Sequence, residues 1–412
     1  MVEGRPARVR PAGQLALRGG APVRDTPVAA WPPPLPDEAL AEVARLLSNQ
    51  AAPHSGPRSF SLLEKEAFEA AFARFCGTPF AVAVNSGATA LDLAVQALRL
   101  AEGGVVVAAD YGHPSTVYEA TKRHRLLLLD IDAETLCLSA AELDWALRAR
   151  PVRCVLTTHL AGQPGGIGQI AALCRNAGVP LIEDASHAHG AIVSGTRAGA
   201  FGAMGCFSLQ ASKNLTCGEG GVIVTSDEEM FQRVWRLHDI GRLPNSTPYD
   251  FAGLGGNHRM PELSALIARH RLVCVDAQNG LRMAAVRELR RRLPWGAPLQ
   301  MHNPDPAVDM HAYHFVAMRY HPEFCGGLAR QRFILALSAE GIPCSPGWPK
   351  RLSDIDALRP CVEEHATPVA AAVVGQSVWI DQRILLEPDG VAQTLEAIAK
   401  IQALTPMRRS GV

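Results

Sequence analysis

Cys206–Phe207–Ser208–Leu209–Gln210–Ala211–Ser212–Lys213–Asn214–Leu215–Thr216–Cys217–Gly218–Glu219–Gly220–Gly221 sets one lysine in a small, polar, glycine-rich loop. Apolar runs flank it at 205–208 and 221–225, and each reads as a short buried strand. Lysine is scarce in this chain. Lys65, Lys122, Lys213, Lys350 and Lys400 are five of 40 basic residues, and the other 35 are arginine. GC-rich coding accounts for the general bias, but it does not account for Lys213. Arginine stays charged, whereas a buried lysine can lose its proton and attack a carbonyl to form a Schiff base. Lys213 is therefore a candidate covalent anchor for pyridoxal phosphate.

Working outward, the same texture repeats. Strands are predicted over 80–84, 104–108, 126–130, 154–158 and 179–182, in addition to the two flanking runs. Helical spacing appears at 37–48, 62–75, 89–100, 140–148 and 167–176. Such alternation predicts an α/β fold whose large domain holds a mainly parallel, seven-stranded sheet covered on both faces. Beyond residue 260 the pattern changes. A long helical stretch over 261–292 leads into a strand-like 314–319 and helices at 328–340 and 391–404, which read as a smaller C-terminal α+β domain. The expected division is an irregular proline-rich arm over 1–36 docked through Trp31, a large domain over 37–275 and a small domain over 276–412.

Composition narrows the function classes. Formal net charge is zero, which offers no electrostatic reason for nucleic acid or an anionic membrane surface as partner. No apolar run approaches the roughly 20 residues that cross a bilayer, and the arginine-bearing N-terminus lacks a signal-peptide core. Cytoplasmic residence is the expectation. The ten cysteines form no C-x-x-C pair, so they are read as small buried hydrophobes and no metal site is expected.

Four segments fall where an open α/β sheet places ligands, past the carboxyl ends of its strands. Asn85–Ser86–Gly87–Ala88–Thr89 ends a strand and starts a helix, so unpaired N–H groups and the helix dipole converge there, as a phosphate requires. An ordinary capped helix start has the same appearance. Glu183–Asp184–Ala185–Ser186–His187–Ala188–His189 ends another strand in a carboxylate that needs a positive partner. A protonated pyridine nitrogen is one such partner, and a cap on the following turn is the other use. Ser208, ahead of Lys213, can donate to a phosphate oxygen. Gly253–Leu254–Gly255–Gly256–Asn257–His258–Arg259–Met260 is a glycine-rich turn before a helix, or simply a linker into it.

Taken in order, these segments resemble the DegT/DnrJ/EryC1/StrS aminotransferases, which are fold type I (aspartate aminotransferase-like) enzymes using pyridoxal phosphate. The resemblance runs from about Leu15 to the C-terminus. It takes in Leu17–Arg18–Gly19–Gly20–Ala21–Pro22–Val23–Arg24, the phosphate turn and Asp130–Ile131–Asp132. It continues through His159–Leu160–Ala161–Gly162–Gln163–Pro164, Glu183–Asp184–Ala185, Ser208 with Lys213, and Gly218–Glu219–Gly220–Gly221. The last matches are Asn257–His258–Arg259–Met260 and Glu340–Gly341–Ile342–Pro343. The opening motif and Val378–Trp379–Ile380–Asp381–Gln382 look most like members from aminoglycoside pathways, which aminate keto-inositols with L-glutamine as donor.

That resemblance implies roles. Lys213 would hold the cofactor and then move the proton between substrate and cofactor, with pyridoxamine phosphate as the intermediate form. Asp184 would keep the pyridine nitrogen protonated, and His187 would contact the phenolic oxygen. Gly87, Ala88 and Ser208 would bind the phosphate, while Asn257 would reach it from a neighbouring subunit and so imply a homodimer with shared active sites. Two positions depart from the family pattern. Ala88 stands where a threonine is usual, with Thr89 one place later able to supply the hydroxyl. The aromatic residue that stacks on the cofactor ring is replaced within Asp110–Tyr111–Gly112–His113, where His113 is our choice and Tyr111 the alternative. Arg242 and Lys350, with loops at 54–58, 242–249 and 345–351, are named as possible substrate contacts. Three other functions share these motifs: amination of a nucleotide-linked keto sugar, an aminohydroxybenzoate-forming reaction, and a cofactor-binding regulator or inactive partner subunit.

Overall fold

A computed structural model of the protein describes residues 13–48, 63–244 and 249–405. The expected loop at 54–58 lies outside these residues, as do the start of the arm and part of the 242–249 loop. The main sheet has eight strands in the order Phe80–Val84, Gly221–Thr225, Met204–Ser208, Leu181–Asp184, Val152–Thr158, Val105–Ala109, Arg125–Leu129 and Val362–Glu363. All neighbours pair in parallel except Gly221–Thr225, which runs against both of its partners. Seven of these strands are the seven read from the sequence. The eighth is a two-residue strand contributed from beyond residue 276, too short to carry a pattern of its own.

Strict alternation along the strands divides the core. Val107, Leu127, Leu129 and Val155 face one layer, whereas Val106, Leu126, Leu128 and Leu156 face the other. Both faces are buried under helices, and this is why these strands read as continuous apolar runs. A third cluster joins Phe68 and Phe72 of the helix Leu63–Cys76 to Ala265 and Ala268 of Glu262–Leu272. A second, antiparallel sheet orders Leu299–Met301, Phe315–Tyr320, Ser377–Asp381 and Cys344–Ser345. The helices Arg330–Ala339 and Gly390–Leu404 cover it.

Three local expectations shift. The strand expected at 179–182 begins two residues later, because Val179 N closes the preceding helix on the Cys174 carbonyl and Pro180 has no N–H to offer a ladder. The long helical stretch over 261–292 is two helices, Glu262–Leu272 and Val275–Arg292, with a break at Val273 and Cys274. Glu228–His238 forms a helix that the sequence reading passed over, although Asp227 caps it by accepting from Met230 N at 3.0 Å.

The N-terminal arm is irregular, yet it is tied firmly to the second sheet. Glu340, fully buried, accepts from Ala16 N at 2.9 Å and from Val23 N at 3.1 Å. Arg24 pairs with Glu387 at 3.0 Å. Asp130 ties the two halves of the chain together, since its carboxylate accepts from Val369 N and Ala370 N, each at 2.8 Å, at the start of the helix Pro368–Gln376. Asp130→Ala leaves those two donors uncapped. It is expected to lower the unfolding free energy by about 1–2 kcal/mol, read as a lower denaturation midpoint at unchanged slope.

Candidate active site

Strand register gathers the candidate residues at one edge of the main sheet. Val84 and Ser208 both lie opposite Gly221, Cys206 lies beside Asp184, and Asp184 beside Thr158. The segments that leave these strands therefore start side by side. Two glycines permit the contact. A Cβ on Gly87 would lie 2.5 Å from Ser208 Cβ, and one on Gly221 would lie 2.3 Å from Ser86 O. Neither position accepts a larger residue without movement of the backbone.

A cavity of about 500 Å³ opens at this edge, and Gly87, Ala88, His113, Asp184, His187, Ser208 and Lys213 all line it. At its upper end the helix Gly87–Leu98 begins. Ser86 Oγ accepts from Thr89 N at 3.1 Å, so the cap serves the third residue and leaves the N–H groups of Gly87 and Ala88 to the cavity. Thr89 is not in the wall. Its hydroxyl oxygen accepts from Ser86 Oγ at 2.9 Å, within its own turn. Ser208 adds a hydroxyl packed directly against the Gly87 backbone, and the two together form a cradle with the shape and donors for a phosphate.

Asp184 lies at the cavity floor. It accepts from Thr116 Oγ1 at 2.6 Å and from Ser186 N at 3.2 Å, which fixes its carboxylate. Thr116 was not singled out in the sequence, where nothing distinguishes it from any other turn residue. Glu183, one residue earlier, points away. It accepts from Gly199 N, Phe201 N and Gly202 N and pairs with His159 at 2.8 Å, a structural clasp. Lys213 projects into the cavity opposite. Burial pulls its ammonium down from 10.5 to about 8, and the Asp184 carboxylate partly opposes that shift. His187 is held well below the usual imidazole value by burial and by Lys213, and its Nδ1 has no protein partner among the described residues. A buried, unpartnered imidazole nitrogen beside a tuned amine, an anchored carboxylate and a phosphate cradle fits pyridoxal phosphate in shape and in donor set.

The two candidates for the ring-stacking residue lie at different depths. His113 lines the cavity, with Nδ1 accepting from Ser115 N at 3.3 Å. Tyr111 is fully buried behind it against Trp348 and Trp379. Trp348, Trp379, Phe315 and His314 complete the wall; Trp348 belongs to the 345–351 loop expected to contact substrate, and the other three were given no role in the sequence reading. They come from distant segments in which aromatic residues look like core.

Two charged candidates do not reach this cavity within one chain. Arg242 is bound to Asp239 at 3.0 Å, and Lys350 is exposed. Asn257 is also exposed, on the loop that carries Phe251 and Leu254.

The lysine loop is pinned from the opposite side. Trp31 Nε1 donates to the Lys213 carbonyl at 3.0 Å, and Gln382 Nε2 reaches the Ser212 carbonyl at 3.4 Å. Trp31, Ser345, Asp381, Gln382 and Arg383 line a second cavity of about 600 Å³ that shares Gln210, Ser212, His314, Phe315 and Trp379 with the first. Arg383 is held by both oxygens of Asp381.

The Lys213 amine yields a pH prediction. The unfolded chain binds the extra proton between about pH 8 and 10.5, so stability of the cofactor-free protein should rise as pH increases through that window. Acylation of Lys213, followed by mass spectrometry against pH, should show its inflection near 8 rather than at the value of an exposed lysine.

Comparison with known proteins supplies an independent line. The profile of the DegT/DnrJ/EryC1/StrS aminotransferase family matches residues 35–399. A Streptomyces kanamyceticus protein, provisionally named L-glutamine:3-amino-2,3-dideoxy-scyllo-inosose aminotransferase, is 30% identical over 94% of this chain and 97% of its own length. The L-glutamine:scyllo-inosose aminotransferase of Streptomyces griseus is 30% identical over 79% of this chain and 78% of its own. Among solved structures, 3-amino-5-hydroxybenzoic acid synthase superposes with a TM-score of 0.80 at 26% identity, covering 91% of this chain and 98% of that one.

Proposed function

The chain belongs to the DegT/DnrJ/EryC1/StrS aminotransferase family, and from that premise we propose that it transfers an amino group from L-glutamine to the ketone of a cyclitol. The observation that carries this reading is the placement of Lys213 and Asp184 in one cavity, the amine made neutral near pH 8 and the carboxylate fixed by Thr116. The names of the Streptomyces relatives support the donor and the acceptor class. The outer cavity supports an uncharged polyol over a nucleotide-linked sugar, because it offers hydroxyl, amide and aromatic groups and its guanidinium is already paired with Asp381.

Pyridoxal phosphate, when bound, supplies a carbonyl that captures amines and a ring that withdraws electrons from the substrate carbon. The chain's own residues do the rest. The Lys213 amine would hold the cofactor, and the same amine would carry a proton to and from the substrate carbon. Asp184 holds a proton on the pyridine nitrogen through its fixed carboxylate. The N–H groups of Gly87 and Ala88 and the Ser208 hydroxyl take the phosphate oxygens. His187 would contact the phenolic oxygen and His113 would pack against the ring, both from the cavity wall. A second copy of the chain completes the site with Asn257, which stands exposed beside Tyr249, Phe251 and Leu254, three apolar side chains that also face solvent in one chain.

Two measurements test the reading. Purified protein should show the visible band of lysine-bound cofactor, lose it on addition of L-glutamine, and regain it with scyllo-inosose. Recovery instead with a nucleotide-linked keto sugar, or release of an aromatic amine, would move the assignment to one of the other family reactions. Lys213→Ala should lose both band and turnover. Mixing inactive Lys213→Ala and Asn257→Ala subunits should restore about a quarter of the activity, since a hybrid dimer then holds one intact site. No recovery would place Asn257 in its own subunit's site, or outside any.

A further inference from the structure

His314 stands at the junction of the two cavities and belongs to the walls of both. Its ring is oriented by hydrogen bonds whose directions are forced. The Ala312 carbonyl can only accept, so the Asn214 amide turns its Nδ2 toward it, at 2.7 Å. Asn214 Oδ1 then faces the other way and accepts from His314 Nδ1 at 3.2 Å. The ring proton of His314 therefore sits on Nδ1. Burial opposes a second proton, as do Lys213, His189 and Arg282. Nε2 is left as a bare lone pair with no protein partner among the described residues.

The backbone makes the same orientation costly to change. Tyr313 is held at φ 44° and Ala161, across from it, at φ 59°, both in the left-handed region that favours glycine. His314 N donates to Ala161 O at 2.9 Å, and Ala312 N donates to Gly162 O at 3.0 Å. A Cβ on Gly162 would lie 2.7 Å from the His187 carbonyl and 2.9 Å from Tyr313 N, so glycine permits this approach. The imidazole also stacks on His187, with ring centroids 4.5 Å apart. Main chain, amide and neighbouring ring all hold His314 in one pose.

A lone pair fixed in this way accepts a hydrogen bond and cannot give one. Beside it, Phe315 and Trp379 stack at 3.8 Å and present an apolar wall to both cavities, suited to the C–H face of a saturated ring. We propose that His314 Nε2 accepts a hydroxyl hydrogen of the amino acceptor as its ring passes from the outer cavity toward Lys213. This inference rests on the cyclitol reading above. It makes His314 a specificity-determining residue, because a site built to bond a hydroxyl discriminates against the analogue that lacks it.

The ring proton can be located without turnover. In the cofactor-free protein, nitrogen NMR of labelled histidines, with His314→Phe assigning the signal, should show Nδ1 protonated and Nε2 bare. A proton on Nε2 overturns the inference. In steady state with L-glutamine, His314→Phe should raise KM for scyllo-inosose about tenfold while kcat falls less than about threefold. His314→Gln, whose amide oxygen can accept, should recover part of that loss. An unchanged KM, or equal losses in kcat and kcat/KM, overturns the inference while the cyclitol reading stands. A wild-type protein that never aminates scyllo-inosose overturns that reading, and the hydroxyl assignment with it.

Discussion

The site depends on holding an amine, largely out of water, at the edge of a sheet that ends in a carboxylate. Desolvation alone would expel the proton of Lys213, and Asp184 alone would retain it. Their balance holds the ammonium at about 8 instead of 10.5, so more of the amine is neutral near physiological pH than in an exposed lysine. Everything around the cavity serves that balance. The sheet register sets the two groups across one space, and Gly87 and Gly221 let the helix start and the lysine loop approach closely enough to close it.

A loop bearing such a residue needs support from outside the sheet, and the N-terminal arm and the second half of the chain supply it. Gln382 bonds the carbonyl before the lysine, Trp31 the lysine's own carbonyl, and Asn214 ties the next residue to Ala312. The arm that carries Trp31 is itself fastened to Glu340 and Glu387. The aromatic residues of the outer wall come from the same region. The cavity is therefore composite: its carboxylate and lysine come from the main sheet, and most of its aromatic wall from beyond residue 310.

Much of this was legible in the sequence, for identifiable reasons. Strands buried on both faces appear as unbroken apolar runs, so the seven main strands could be read directly. Gly87, Asp184, His187, Ser208 and Lys213 sit immediately past those runs, where a polar residue or glycine stands out. His314 and Trp379 lie in strand-like runs, and only tertiary packing turns them toward the cavity, whereas Trp348 stands in the 345–351 loop. Val362–Glu363 was hidden because two residues carry no period. Arg242 was chosen for its charge, although Asp239 three places earlier is the partner that its spacing offers. Isolated charge is a weak signal in a chain so rich in arginine.

The bond from Trp31 to Lys213 joins residues 182 positions apart. In a chain synthesised from its N-terminus, the tryptophan emerges long before the carbonyl it will hold, and longer still before Glu387, to which its arm is fastened. Closing so distant a contact is slow, because chain entropy is lost before any bond is gained. The main sheet closes a still longer stretch of chain where Val362–Glu363 pairs with Arg125–Leu129, so the arm and that edge strand share the same entropic cost. The two bonds on the Ser212 and Lys213 carbonyls come from near opposite ends of the chain, so loss of either Trp31 or Gln382 removes one of them.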